Sequence, residues 1–453
     1  MNRKTSLCAL KIHERITSRH ILTRLEDLNQ TQWLSQDELL TLQRDKLLSL
    51  VDYAMRYVPY YRRLFKQIDF HPDDLRRDLG NLNRIPILTK SIIRSNQEDM
   101  LTTEPERRRQ LSRLCTSGST GEPLIFMQDP DYRDAVTADI QRHMGWAGWT
   151  LGNSQAVIWG SDLHPNLVKR IRGRMIDWVW NRFQVNAFAI TEHDLAEFTR
   201  KVLQRKPDVL FGYASGIHHF AQYIQRRADV KLTFKGIFTS AEKLVPPVRE
   251  LIENTFDCKV FDRYGTFELG GLACECEAHH GLHISVENNY VEIIQDGRAA
   301  EPGEVGDIIV TNLNNRGMPF IRYAVGDAGA LGSGENCPCG RKAPSLISID
   351  GRIKDAFLTQ DGRTVYTGFS GNAFRCLAQP EIRQFQVVQK TLDKILVRLV
   401  VDCEISQAVR DSITRAFQEM FGENMVVDFE FPVELPRLPS GKYQYEISEL
   451  NRS

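Results

Sequence analysis

The chain has 453 residues, too many for one ordinary hydrophobic core, so two or more domains are expected. Apolar residues make up 42% and charged residues 26%, the profile of a soluble globular protein. Lys+Arg and Asp+Glu both number 58; with no basic excess, neither nucleic acid nor an anionic membrane is expected as the main partner. No apolar run is long enough to span a bilayer. Residues 1–19 mix Lys, His, Glu and Arg with short apolar pieces and lack the core of a secretory signal, so a cytoplasmic location is expected. Nine cysteines in a chain of this length are not a disulfide framework; they are expected to be free or metal-bound.

Along the chain, residues 35–57 place Leu39, Leu40, Leu47, Leu48, Val51 and Met55 near a 3.6-residue period, which predicts a helix closed by Pro59. From about residue 155 to 262, β-rich runs at 155–159, 209–213 and 235–239 alternate with helical stretches at 192–204 and 217–227. That alternation predicts an α/β sheet with helices on its faces. From 282 to 325, strands joined by Asp296-Gly297 and Pro302-Gly303 turns predict a smaller β unit. The texture changes near Gly351–Lys354. Strand-like runs at 382–388, 395–401 and 425–431, with a helical run at 405–421, predict a compact α+β module. The expected architecture is α/β: a large N-terminal domain over 1–353 and a smaller α+β domain over 354–453.

Five motifs carry chemistry. The first is Thr116, Ser117, Gly118, Ser119, Thr120 and Gly121, followed by Glu122 and Pro123. Six small residues expose backbone N–H groups and hydroxyls that can wrap a polyphosphate, though no Gly-Lys-Ser/Thr ends the run as in a Walker loop. It lies between runs at 111–114 and 124–127 that fit two strands. The second is Arg263, Tyr264, Gly265, Thr266, Phe267 and Glu268: a ring that can stack on a purine and a carboxylate that can hold Mg²⁺. The third ends Tyr323-Ala324-Val325-Gly326-Asp327, whose carboxylate can accept ribose hydroxyls. The fourth is Gly351-Arg352-Ile353-Lys354-Asp355, and the fifth is Leu438-Pro439-Ser440-Gly441-Lys442. Taken singly, each also fits an ordinary turn or a solvated side chain.

In their order and spacing, the five resemble the adenylate-forming superfamily of acyl-CoA synthetases, adenylation domains and luciferases. Val58-Pro59-Tyr60-Tyr61, Ile85-Pro86-Ile87-Leu88-Thr89-Lys90 and Pro319-Phe320-Ile321-Arg322-Tyr323 resemble its phenylacetate–CoA ligase-like branch, including capsule-polysaccharide relatives. The resemblance runs from about residue 45 to the C-terminus. It implies that Thr116–Gly121 hold the ATP phosphates, that Ser240, Ala241 and Glu242 contact adenine, and that Tyr264, with Gly265 and Thr266, packs on it. It implies that Glu268 meets Mg²⁺, Asp327 the ribose, and Arg352 the ribose or phosphate. Lys354 falls at the hinge of a mobile C-terminal domain, and Lys442 is the lysine of adenylation. Two residues depart from the pattern: Leu124 where many members have Lys, and Phe267 where Ser or Thr usually precedes the Glu.

Cys274-Glu275-Cys276 and Cys337-Pro338-Cys339-Gly340, with His279, His280 and His283 between them, match the ligand types of structural zinc. The chosen set is Cys276, His283, Cys337 and Cys339, with Cys274 or His279 as possible substitutes; free thiols are the alternative. Cys115 reads as a buried thiol, Trp146, Trp149, Trp159, Trp178 and Trp180 as core packing, and residues 104–109 as a solvated face. The expected function is ATP-dependent activation of a small carboxylic acid as an acyl-adenylate, with coenzyme A the expected acceptor. An amine, hydroxyl, sugar or carrier thiol in polysaccharide biosynthesis, a nucleotide-binding protein without turnover, and a zinc hydrolase stand as rivals. Neither the acid nor the oligomeric state is readable.

Overall fold

A computed structural model describes residues 3–116, 124–160, 167–187, 190–227, 229–333, 337–352, 357–360, 364–365, 381–401, 403–436 and 444–450. The chain opens with seven helices: α1 (Arg3–Thr17), α2 (Ile21–Thr31), α3 (Gln36–Tyr57), α4 (Pro59–Gln67), α5 (Pro72–Arg77), α6 (Lys90–Ser95) and α7 (Pro105–Arg109). Ser35 starts α3 through a reciprocal capping box with Glu38. Pro59 does more than stop α3: it takes the first position of α4, where a missing N–H costs nothing. Leu47, Leu50, Val51 and Ala54 of α3 pack with Tyr61, Phe65 and Leu75 into one of the cores.

Strands β1 (Ser112–Cys115) and β2 (Ile125–Gln128) pair antiparallel and flank the Ser/Gly run as expected. After α8 (Pro130–Trp146) comes the alternating stretch: β3 (Gln155–Trp159), α9 (Leu167–Val179), β4 (Arg182–Asn186), α10 (Glu192–Arg205), β5 (Val209–Tyr213), α11 (Ala214–Gln225), β6 (Gly236–Ser240), α12 (Pro246–Phe256) and β7 (Val260–Thr266). These five strands are parallel, in the order β4-β3-β5-β6-β7. Their fully buried residues explain the near-continuous apolar runs.

The expected smaller β unit is built into the same sheet. Strands β8 (Gly270–Glu275), β9 (Leu282–Ile284), β10 (Asn289–Gln295), β11 (Arg298–Ala299), β12 (Gly306–Asn312), β13 (Tyr323–Leu331) and β14 (Ser345–Arg352) continue the parallel strands into one twelve-stranded sheet. The reason is local. β7 turns back at once into β8, which occupies its open edge, and β9 and β14 pair onto β8 in turn. A Cβ at Gly265 would stand 2.2 Å from the carbonyl oxygen of Gly270, so only glycine permits that turn-back.

The C-terminal part has a hairpin, β15 (Phe357–Leu358) with β16 (Thr364–Val365), and a sheet of β17 (Ile382–Thr391), β18 (Lys394–Val401), β19 (Val426–Glu430) and β20 (Glu446–Ser448) in the order β19-β18-β17-β20. Helix α13 (Gln407–Phe421) joins β18 to β19. The largest core cluster takes in residues from the parallel sheet and its helices together with Phe357, Val387, Val397 and Phe417 of the C-terminal part.

Candidate functional site

The C-terminal ends of parallel strands leave backbone groups and side chains facing outward where the chain leaves the sheet. Here β5, β6 and β7 end side by side. In register, Tyr213 neighbours Ser240, and Ser240 neighbours Arg263. Ser240–Glu242 therefore lies between the end of β5 and the Tyr264–Glu268 segment. Ala241 holds a left-handed backbone, φ 69°, unusual for a residue with a Cβ. Glu242 accepts a hydrogen bond from the Ser215 N–H at 2.8 Å, which ties the segment to the start of α11.

Tyr264 and Asp327, 63 residues apart, meet directly: the tyrosine hydroxyl donates to Asp327 Oδ2 at 2.9 Å. Asp327 on β13 stands opposite Arg352 on β14 in the ladder, so the backbone brings the third and fourth motifs together too. Glu268 is buried. Its Oε1 accepts from the Tyr323 hydroxyl at 3.2 Å and lies 3.5 Å from Lys90 Nζ. Burial, with Glu268 beside it, pushes the Tyr323 hydroxyl well above its ordinary range, so it stays a proton donor. Leu88 makes a parallel bridge to Tyr323, which carries Lys90 to Glu268. Lys90 was legible only as part of a family segment; no local signal marked its partner.

Thr116 is held at the mouth of the β1–β2 pair. Its N–H donates to the Leu124 carbonyl at 2.9 Å, and its hydroxyl accepts from the Leu124 N–H at 2.9 Å. The Phe126 ring of β2 meets the exposed Phe267 ring edge-on at 5.7 Å, which sets the base of the Ser/Gly run beside the second motif. Phe267 thus faces outward while Glu268 turns in. Ser117, Gly118, Ser119, Thr120 and Gly121, together with Lys354 and Lys442, lie outside the described residues, as does the Arg352 side chain. The chain is fixed just past Lys442. The Gln444 carbonyl accepts from Gln386 Nε2 at 2.9 Å, and the Tyr445 carbonyl accepts from the Val387 N–H at 2.7 Å.

Near this end of the sheet, burial pulls the Lys243 ammonium below its ordinary range, while the carboxylates of Glu446, Asp350 and Asp262 act to keep it charged. Burial, helped by Glu275, pushes Asp262 up to about 6. Burial and then Glu242 push Tyr213 up to about 12. Trp159 is half-buried and packs against the largest core cluster, as expected. It stacks on Tyr213 at 4.4 Å between ring centroids and on Phe211 at 5.2 Å, close to the strand ends.

The second cluster is Cys276, His283, Cys337 and Cys339, whose ligand atoms all lie within 4.8 Å of one another. Cys276 Sγ to Cys337 Sγ is 3.6 Å, and Cys339 Sγ to His283 Nε2 is 3.3 Å. Zn–S bonds of about 2.3 Å in a tetrahedron set S···S near ~3.8 Å, so the spacing fits one ion. His283 Nδ1 lies 2.9 Å from the Ala343 carbonyl and donates to it, which aims Nε2 at the thiols. The two named substitutes drop out. Cys274 is buried beside Arg263, and His279 pairs with Glu275 at 3.3 Å. The cluster joins the β8–β9 and β13–β14 loops.

Three smaller expectations are corrected. Cys115 is exposed, because alternate residues of the short β1 strand face solvent. The 104–109 run is not simply solvated: Arg107 pairs with the fully buried Asp129 at 2.7 Å. Trp146, Trp149 and Trp180 are core residues, but Trp178 is exposed.

With this geometry in place, comparison with known proteins is informative. Residues 357–449 match the CapK C-terminal domain family. Protein CapK of Staphylococcus aureus is 24% identical over 422 residues, 91% of this chain and 90% of its own length. The phenylacetate-coenzyme A ligase of Thermus thermophilus is 25% identical over 445 residues, 91% of this chain and 97% of its own. A 2-hydroxyisobutyryl-CoA ligase solved in its postadenylation state with an acyl-AMP superposes with a TM-score of 0.75 at 20% identity, over 92% of this chain and 91% of that one. The same ligase solved with acyl-AMP and CoA in the thioesterification state gives 0.61 over 93% and 92%. The fold is that of the adenylate-forming ligases. Over nine-tenths of its length the chain is similar to CapK and to a phenylacetate-coenzyme A ligase.

Proposed function

We propose that this chain is an ATP-dependent carboxylate–AMP ligase that forms an acyl-adenylate and passes the acyl group to coenzyme A. The observation that carries the reading is the convergence of three separated motifs: Tyr264 bonded to Asp327, Arg352 opposite Asp327 in the ladder, and Glu268 held by Tyr323 and Lys90. One nucleotide spans that set: adenine against Tyr264 and the Ser240–Glu242 segment, ribose hydroxyls on Asp327, phosphates toward Glu268 and the Thr116–Gly121 run.

In the first step the substrate carboxylate oxygen bonds to the α-phosphorus, and the bond to the bridging oxygen of pyrophosphate breaks. Negative charge gathers on phosphate oxygens, and fixed cations and N–H dipoles stabilise it. Glu268 would hold a Mg²⁺ ion, which when bound would neutralise phosphate charge. Among the described residues the Tyr323 and Lys90 contacts both fall on Glu268 Oε1, so Oε2 would be the oxygen offered to that cation. Lys442 supplies a further positive charge, and the segment fixed at Gln444 and Tyr445 supports its delivery by the C-terminal sheet. In the second step the thiol sulfur bonds to the acyl carbon and AMP leaves. A small domain over 354–453, rotating about Lys354, admits the thiol. A 2-hydroxyisobutyryl-CoA ligase is solved in both a postadenylation and a thioesterification state, and this chain superposes better on the former. The cysteine–histidine cluster, with all four positions filled by protein, suits a structural zinc ion. ATP and coenzyme A are cytoplasmic metabolites, which supports a cytoplasmic location.

The test is pyrophosphate release with ATP, Mg²⁺ and a panel of carboxylic acids. At least one acid is expected to give turnover, and Lys442→Ala to lower it about 10²–10³-fold, as for loss of one aimed charge. Thioester should appear when coenzyme A is added. Turnover without thioester, but with acylated amine or sugar, would replace the acceptor. No pyrophosphate with any acid would leave a nucleotide-binding protein.

A further inference from the structure

The chain is neutral as a whole, yet two helices that pack together depart sharply from that balance. Helices α1 and α9 are in contact, and the Ser6 hydroxyl donates to the Val179 carbonyl at 3.0 Å. Their sequences hold eight Lys and Arg residues against two acids, Glu14 and Asp177. Both acids are already engaged. Glu14 accepts from the Leu22 N–H at 2.8 Å, and Asp177 accepts from Arg182 Nε at 2.6 Å. Arg172 and Arg174 are exposed.

The same helix exposes an apolar row. Val168 is 74% exposed, Ile171 52%, Met175 64% and Trp178 57%. Steps of three, four and three residues put all four on one face of α9. An amphipathic helix with Lys and Arg beside an apolar row ending in Trp has the composition of a helix that lies in a lipid interface. Ile12 and Ile16 on the neighbouring α1 are exposed as well. Pairing of these two helices with a second copy of themselves would bring together two segments that each carry eight cations and only two acids, a like-charge contact. An anionic surface meets the same charges favourably.

We propose that the α1–α9 face docks the protein reversibly on an anionic lipid bilayer surface, with the Val168–Trp178 row entering the headgroup boundary. The proposal does not depend on the chemistry at the strand ends.

The experiment is flotation of the full chain with phosphatidylglycerol/phosphatidylcholine vesicles and with phosphatidylcholine vesicles alone. Flotation is expected only with the anionic vesicles and should weaken as salt screens the surface charge. Each basic residue near such a surface is worth about fivefold in partitioning, so Arg172→Gln with Arg174→Gln should lower it about 30-fold. Ile171→Ser with Met175→Ser should lower it too. Both pairs should leave the thermal midpoint and pyrophosphate release unchanged, since these side chains are exposed and none is among the residues placed at the site. Failure of the wild type to float, equal flotation of the variants, or equal binding to neutral vesicles would overturn the proposal. So would a dimer in sedimentation that Ile171→Ser with Met175→Ser turns into monomer, which would assign the face to a second copy.

Discussion

Tyr264 and Asp327 illustrate what one hydrogen bond organises. The tyrosine hydroxyl donates to Oδ2 at 2.9 Å, which fixes the ring beside the carboxylate. Asp327→Asn removes the charge that would accept ribose hydroxyls. Hydrogen bonds to charged groups are worth about 1.5–3 kcal/mol, so ATP affinity should fall about 10- to 100-fold. Tyr264→Phe keeps the ring and loses only the donor, so its effect should be smaller, about 3- to 10-fold. Titration calorimetry with a non-hydrolysable ATP analogue checks both, and a double mutant shows whether they act as one unit. The motif residues themselves were legible, because Ser/Gly runs, Tyr-Gly and Gly-Asp turns are local patterns. Lys90 was not legible as a partner of Glu268, since 178 positions separate them and only the Leu88–Tyr323 bridge brings them close.

Strands and loops set the next level. The turn-back of β7 into β8 at Gly265 converts a parallel sheet into the first part of an antiparallel one, and the four-ligand cluster then ties the loops that follow. The purified protein is expected to carry about one zinc ion per chain, since a filled tetrahedron takes one ion. Cys276→Ser or Cys337→Ser should abolish it and lower the thermal midpoint by several degrees. Cys274→Ser should leave the metal content intact. Mass-spectrometric metal analysis and thermal unfolding with and without a chelator check this. The identities of the strands were legible from period and composition; that β8 to β14 share the sheet of β3 to β7 was not. An apolar strand does not state which edge it pairs with, and here the pairing was decided by one glycine turn.

At the scale of the whole molecule, Lys243, at the end of the parallel sheet, senses Glu446 of the C-terminal sheet as well as Asp350 and Asp262. Glu446 lies four residues past Lys442, so under the proposed reading this electrostatic interaction bears on the segment that would deliver that lysine. Glu446→Gln removes one of three charges that favour the ammonium in this arrangement. Coupling of this kind is commonly worth 1–3 kcal/mol, so pyrophosphate release should fall about tenfold. Thioester formation from a supplied acyl-adenylate should change little, because the proposed rotation withdraws Lys442 before that step. Stopped-flow measurement of the two half-reactions separates them. A loss in both steps alike would give Glu446 only a structural role.

The order of motifs, the alternation of strands with helices and the Cys/His pairs are properties of residues near one another in sequence, and sequence alone determined them. It chose Cys276, His283, Cys337 and Cys339, and tertiary structure separated them from Cys274 and His279 by where β8 and its loop aim each side chain. The single twelve-stranded sheet, the Lys90–Glu268 contact and the exposure of Trp178 depended on folding. Each is a relation between segments that local propensity leaves open, and burial and backbone pairing fix it only once the chain has closed on itself.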